Sequence, residues 1–227
     1  MKKLIFVLAA IIVTLNAFSQ ESKFSFGISG GMNITNVNGI NEVSNLIDSK
    51  SLIGLRANVL LGYKFSEHFL LLFEPGIEQK GYKTGLIFTD EVGNDIGTGD
   101  LLYVTNYVTS PLTLNYTGGS KIKLNIGAGL YIGVLINSKL KIRSDDFDLG
   151  IDDLETSSNY KSTDFGALAR ASVEIKLLSF LAAEITGNYS LGLGKINSDI
   201  FYSDAGLKNR SIFLGAGIRL YFAGKAK

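Results

Sequence analysis

The 227-residue chain contains one histidine, His68. That count excludes any site that needs two histidines. It also restricts nucleophile-and-base hydrolysis, which sets a serine beside a histidine held by an acid. His68 lies in SEHF, beside a short break between two apolar stretches, where an ordinary turn residue is the simpler reading. Glu74 and Glu78 stand four apart in FEPGIEQKG and share a face if the segment is extended, as an acid and base pair would. Partnership with interior arginine or lysine is the plainer role. The stretch DDFDLGIDDLE, 145–155, carries six carboxylates in eleven residues. Asp146, Asp148 and Asp152 are its candidates for calcium, which takes oxygen ligands. The spacing is not that of an EF-hand loop, because Gly150 stands where the third ligand belongs and the closing glutamate is misplaced. Cysteine is absent, so disulfides and thiolate metal sites are excluded. The glycines form no phosphate-binding loop. No catalytic residue, cofactor or firm metal site is expected.

The elements that carry these residues alternate with period two. In KIKLNIGAGLYIGVLINSK, 121–139, Ile122, Leu124, Ile126, Ala128, Leu130, Ile132, Val134 and Ile136 form one series. Lys123, Asn125, Gly127, Gly129, Tyr131, Gly133 and Asn137 form the other. Period two is a strand, because successive side chains point to opposite faces. The same pattern predicts strands over 24–33, 52–65, 68–82, 101–116, 162–177, 180–194 and 210–222. Eight strands result, most of them long enough for the ~9–11 residues that a tilted strand needs to cross a bilayer. The connections run long, short, long, short: about 34–50, 83–100, 138–161 and 195–209 against Ser66-Glu67, Thr117–Ser120 and Leu178-Ser179. Outer-membrane barrels have short periplasmic turns and longer outer loops. The expected fold is therefore all-β, an eight-stranded antiparallel up-and-down transmembrane β-barrel with both termini periplasmic.

The first residues agree with export. Lys2 and Lys3 precede LIFVLAAIIV and a small-residue end, the anatomy of a signal peptide cut after Ser19. The expected domains are a removed signal peptide, 1–19, and a barrel domain, 20–227. Removing two lysines from 22 basic residues leaves 20 against 21 acidic ones, which gives no field for nucleic acid.

A soluble eight-stranded barrel would hide the apolar series and expose the polar one. The polar series here is crowded with glycine and sparse in charge, which suits a bore barely wide enough for side chains. Its charges are of both signs. Arg170 with Glu184, and Arg56 with Glu74, flank short turns and are expected as interior ion pairs; Arg219 belongs to the same interior set. Phe24, Tyr63, Phe65, Phe69, Tyr103, Tyr116, Phe180, Tyr221 and Phe222 are expected in interfacial girdles. Pro75 and Pro111 are expected to mark bulges in the third and fourth strands.

FSFGISGGMN, LLLFEPGIEQKGYKT, YVTSPLTLNY and NRSIFLGAGIRLYF together resemble the PorT-like family of small outer-membrane β-barrels, over nearly the whole mature chain. The Glu74-Pro75 and Gln79-Lys80-Gly81 elements and Pro111 carry the likeness. The tail departs from the usual pattern of such barrels, because Phe222 lies five residues from the end. The resemblance implies an integral, non-enzymatic outer-membrane protein with a structural or interaction role, accessory to protein secretion in some members. The expected partners are outer-membrane lipid, the barrel-assembly machinery and lipopolysaccharide, which the carboxylates of 145–155 would reach through shared divalent ions; the resemblance adds a secretion or envelope protein. A narrow transport barrel for small solutes and a soluble ligand-binding barrel are the alternatives.

Overall fold

The structure is a computed structural model that describes residues 23–39, 49–144, 153–198 and 206–221. The expected signal peptide, Phe222, Asp146, Asp148 and Asp152 lie outside the described residues. Ten strands are present among the described residues: β1 Phe24–Asn38, β2 Ser49–Lys64, β3 Phe69–Phe73, β4 Gly76–Thr89, β5 Asp95–Gly119, β6 Ile122–Ser144, β7 Leu154–Glu155, β8 Thr163–Leu178, β9 Leu181–Gly192 and β10 Lys208–Tyr221.

The pairing is antiparallel throughout and runs β1–β2, β2 with β3 and β4, these with β5, then β5–β6, β6–β8, β8–β9 and β9–β10. β10 then pairs with β1, from Ser25 opposite Tyr221 to Asn38 opposite Lys208. The ladder therefore closes into a ring of eight staves, with β3 and β4 as one stave and the two-residue β7 laid beside β6. Through the apolar band closure leaves no sheet edge and lets backbone groups bond within the ladder, as a strand in lipid requires.

The alternation read from the sequence sets the two surfaces. Ile126 is 56% exposed on the outer wall, whereas Arg219 is 0% exposed inside. A soluble barrel would reverse these positions. Glycines on the inner face make room: a Cβ at Gly127 would collide with the Asn115 side chain that lies across from it.

Both prolines serve a single interruption. The third stave breaks at Glu74-Pro75, between β3 and β4. The Glu74 N–H donates to the Pro111 carbonyl at 2.9 Å, and the Val59 N–H donates to the Pro75 carbonyl at 2.9 Å. Pro111 makes no bulge against β6: it stands opposite Tyr131 in a continuous register. That corrects the expectation for the fourth strand, and Pro75 inserts no extra residue in the third either, since Leu61–Phe73 and Asn58–Gly76 keep one register; the reason is local. Pro111 lacks an N–H but faces a stave that is already broken. The bulge between β5 and β6 lies instead between Asn106 and Tyr107.

Several strands run well past their expected ends. Residues 34–38, 83–89, 95–100 and 138–144 are strand rather than loop. Above the apolar band an amide seam crosses the outer wall, Gln79 to Asn106 at 3.3 Å and Asn106 to Asn137 at 2.7 Å. Beyond it Lys83 meets Asp100 at 2.6 Å and Lys141 meets Asp153 at 2.7 Å. Inside this extension Tyr82, Val37, Ile196 and Leu207 form an apolar plug, with Tyr103 and Tyr160 packed on it.

Candidate functional site

The bore carries the chain's concentrated chemistry, in two layers. The layer nearer the short turns is built from β8, β9, β10 and the end of β3. Arg170 Nη2 lies 2.7 Å from Glu184 Oε1, and Arg219 Nη2 lies 2.7 Å from Glu184 Oε2. Glu184 thus accepts a charge-assisted bond on each oxygen. Register sets Glu174 directly opposite Glu184. Two carboxylates face to face repel, and Arg219 lies against both, with Nη1 3.7 Å from Glu174 Oε2. The Tyr221 hydroxyl donates to Glu174, and Lys123 reaches Glu174 Oε1 at 3.7 Å. Glu74 Oε2 lies 3.5 Å from Arg170 Nε, and neither Glu74 oxygen accepts a hydrogen bond.

The second layer lies nearer the loops. Lys80 Nζ stands 3.0 Å from Asp164 Oδ2 and 3.7 Å from Glu78 Oε2. Asp164 also accepts from Asn209 at 2.8 Å and from the Tyr131 hydroxyl at 3.3 Å. Glu78 accepts from Asn33 at 3.0 Å. Lys80 lies over the Tyr131 ring at 4.3 Å, and Arg56 lies over the Phe213 ring at 4.9 Å. Lys80 is 1% exposed. In this space charges are matched by charges, amides and ring faces rather than by bulk water.

The structure brings Arg170 and Glu184 together and adds Arg219 to them. It does not pair Arg56 with Glu74. Arg56 stands opposite Glu78 across β2 and β4, and its Nε donates to Asn58 Oδ1 at 3.0 Å. The reason is register. Leu61 pairs with Phe73, which puts Glu74 beside Leu60, four residues from Arg56 along the strand and toward Arg170. Asp164 lies inward with Arg170, as the alternation over 162–177 predicts, whereas Phe213, Tyr107 and Asn209 are interior groups that the alternation does not single out.

The aromatic expectation divides. Phe24, Tyr63, Phe65, Phe69, Tyr116 and Phe180 are exposed on the outer wall at the turn end. Phe24 packs on Tyr63, and Phe69 packs on Phe65 and Tyr116. Tyr103 and Tyr221 are corrections. Tyr103 points inward and stacks on Tyr82 at 4.6 Å, and Tyr221 turns in to Glu174. His68 is exposed at a turn, with Nδ1 3.4 Å from the Thr117 carbonyl and its ring stacked on Tyr116. At the edge of the acidic stretch, a hydrogen bond from Lys141 holds the Asp153 carboxyl below the usual carboxylate range, helped by the charge of Lys139. Among the described residues no group of three or more metal-ligating side chains is assembled.

A closed β-ring with an apolar outer wall and a charged, filled bore defines a membrane β-barrel. The family model described as an outer membrane protein beta-barrel domain matches residues 18–198, and the chain belongs to that family. It is accordingly an integral outer-membrane protein. No curated protein matches the chain. Among solved structures it is similar to Neisserial surface protein A, with 16% identity, 90% of this chain and 100% of that chain covered, and a TM-score of 0.49. It is also similar to OprG of Pseudomonas aeruginosa, with 11% identity, 89% and 98% covered, and a TM-score of 0.45. For outer membrane protein W of E. coli the values are 10%, 89% and 99%, and 0.44.

Proposed function

We propose that this protein is a non-enzymatic scaffold of the cell envelope, a PorT-like barrel that acts through partners at its two ends and is accessory to protein secretion. The observation that carries the reading is the packed bore. Five carboxylates (Glu74, Glu78, Asp164, Glu174 and Glu184) are buried with Arg56, Lys80, Arg170 and Arg219. An eight-stranded ring leaves room for side chains and little else, so a solute path would need this network to come apart. The reading as a non-enzyme is supported by the place of His68 on an exposed turn, away from any buried nucleophile and acid.

Short turns at the end that holds Lys23 and Tyr221, and long excursions at the other, support a periplasmic location for both termini. A removed signal peptide over 1–19, insertion by the barrel-assembly machinery, and contact of the loop end with lipopolysaccharide complete the proposal. Because the chain has no cysteine, single replacements give a clean orientation test. Glu91→Cys is expected to react with an impermeant maleimide on intact cells, and Ser66→Cys only after the outer membrane is opened. The reverse pattern overturns the orientation. Affinity purification through a tag after Lys227, with cross-linking in the native membrane, is expected to return a stoichiometric envelope protein. A clean barrel with no partner overturns the scaffold reading.

A further inference from the structure

Two pairs of lysines face each other across neighbouring strands at the turn end. Phe24 pairs with Tyr63, which sets Lys23 opposite Lys64, and the Lys64 N–H donates to the Lys23 carbonyl at 2.6 Å. Ile122 pairs with Ile175, which sets Lys121 opposite Lys176, and the Lys176 N–H donates to the Lys121 carbonyl at 3.0 Å. The first pair stands at the end of the β1–β2 seam and the second at the end of the β6–β8 seam, on opposite sides of the ring. Like charges directly opposite each other are destabilising. Deeper in the bore the like pair Glu174 and Glu184 is neutralised by Arg219. At the mouth none of the four lysines has an ion-pair partner among the described residues. The acids nearest in sequence to this rim among the described residues are Glu174, two residues from Lys176 but held by Lys123, Arg219 and Tyr221, and Glu67, exposed in the first turn.

The lysines also have a direction. Lys23 and Lys64 share the inward parity of Ser25 and Gly62, whereas Phe24 and Tyr63 face outward. A recess of about 20 Å³ at the mouth is lined by Lys23, Lys64, Lys123 and Tyr221, among others. Lys123 lies 5.0 Å over the Tyr221 ring, and both line the recess. The positive charge therefore faces the axis, inside the aromatic rows that meet lipid.

We propose that this lysine-rimmed mouth docks a carboxylate-rich peptide segment of a periplasmic partner, laid across the opening so that it bridges the two lysine pairs. The proposal rests on the orientation argued above, which puts the turn end in the periplasm. Charge complementarity argues for an acidic occupant, since an anion between paired lysines removes their repulsion and steers encounter. The inward parity favours a water-borne peptide over annular phospholipid, whose headgroups lie outside the aromatic rows.

The test uses the whole mature barrel folded in zwitterionic detergent and a fluorescent oligoglutamate peptide, read by anisotropy at low and high salt. Binding is expected at low salt and lost at high salt. The double variants Lys23→Gln/Lys64→Gln and Lys121→Gln/Lys176→Gln are each expected to weaken it roughly tenfold, and the quadruple variant to abolish it. Lys195→Gln/Lys208→Gln, at the loop end, is the control and is expected to change nothing. Heat-modifiable gel mobility verifies that every variant is folded. Unchanged binding by the quadruple variant overturns the proposal. So does binding that the lysines govern only toward nanodiscs holding anionic phosphatidylglycerol, which would assign the rim to lipid. Because the peptide assay is done in detergent, its outcome is separate from that of the cysteine labelling.

Discussion

The two charged layers of the bore solve one problem differently. Near the turns, Glu74, Glu174 and Glu184 meet Arg170 and Arg219, and Glu184 alone holds both arginines at 2.7 Å, with Ser172 on Arg170 and Tyr221 on Glu174 as the neutral partners. Near the loops, Lys80, Glu78, Asp164 and Arg56 share their contacts with Asn33, Asn209, Tyr131 and Phe213. Deleting Glu184 from the first layer takes the 2.7 Å carboxylate from two buried arginines at once and leaves them only the longer contacts to Glu74 and Glu174, with Ser172 on Arg170. A charge deleted from the second leaves a group that still has neutral donors or a ring face. The lesson is that the count of buried charges matters less than what surrounds each one.

Substitutions can break this contrast. Glu184→Leu is expected to have the largest effect, because both Arg170 and Arg219 lose their 2.7 Å partner. The expected loss is about 3–5 kcal/mol of unfolding free energy. The chain has no tryptophan, so urea unfolding is best followed by gel mobility. A midpoint equal to that of the parent would remove Glu184 from the centre of the layer.

Lys80→Met comes next, at about 1–3 kcal/mol, because Asp164 keeps Asn209 and Tyr131 as donors. A cost equal to that of Glu184→Leu would erase the difference between the layers. Phe213→Leu removes the ring under Arg56 and is expected to cost about 1 kcal/mol. Guanidinium chloride titration in the same gel assay measures it, and no shift would show that Arg56 is held by Asn58 alone.

The reach of sequence reasoning follows the same division between walls and partners. Period two was legible wherever one face is apolar, as from Ile122 to Ile136, and it predicted the stave order and the polarity of both walls. It failed where both faces become polar or mixed. In 83–89 and 138–144 the strands leave the apolar band, and Lys83, Lys139, Lys141 and Arg143 erase the alternation that would mark a strand. Partners inside the bore were legible only when the register was guessed correctly. Arg170 and Glu184 meet, although on a diagonal, since Glu184 stands opposite Glu174. Arg56 was assigned to Glu74 by distance from the turn, whereas the β2–β4 register sets it opposite Glu78. Tyr103 and Tyr221 were read as lipid-facing because an aromatic near a strand end fits either wall. Parity along β5, with Thr105 and Tyr107 inward, would have placed Tyr103 correctly.

The smallest expected effect lies outside the bore, at the tip of the β4–β5 hairpin. A hydrogen bond from the Asn94 side chain, with the Asn94, Val92 and Gly93 backbone, holds the Asp90 carboxyl below its ordinary value of 3.8. A carboxyl depressed by folding stabilises the tip above the unfolded pKa and loses that contribution as pH falls through the folded one. Protection of the Val92 and Asn94 amides, taken relative to the intrinsic exchange rate at each pH, should therefore fall below about pH 4. Protection that stays constant down through acid pH would detach Asp90 from the tip.

The most direct test of the account is conductance of the folded mature barrel in a planar bilayer at neutral pH. A bore filled by Arg170, Arg219, Glu184, Lys80 and Asp164 predicts a baseline without steady openings. A sustained, ion-selective current carried by the parent protein would contradict the packed bore and, with it, the reading as a scaffold.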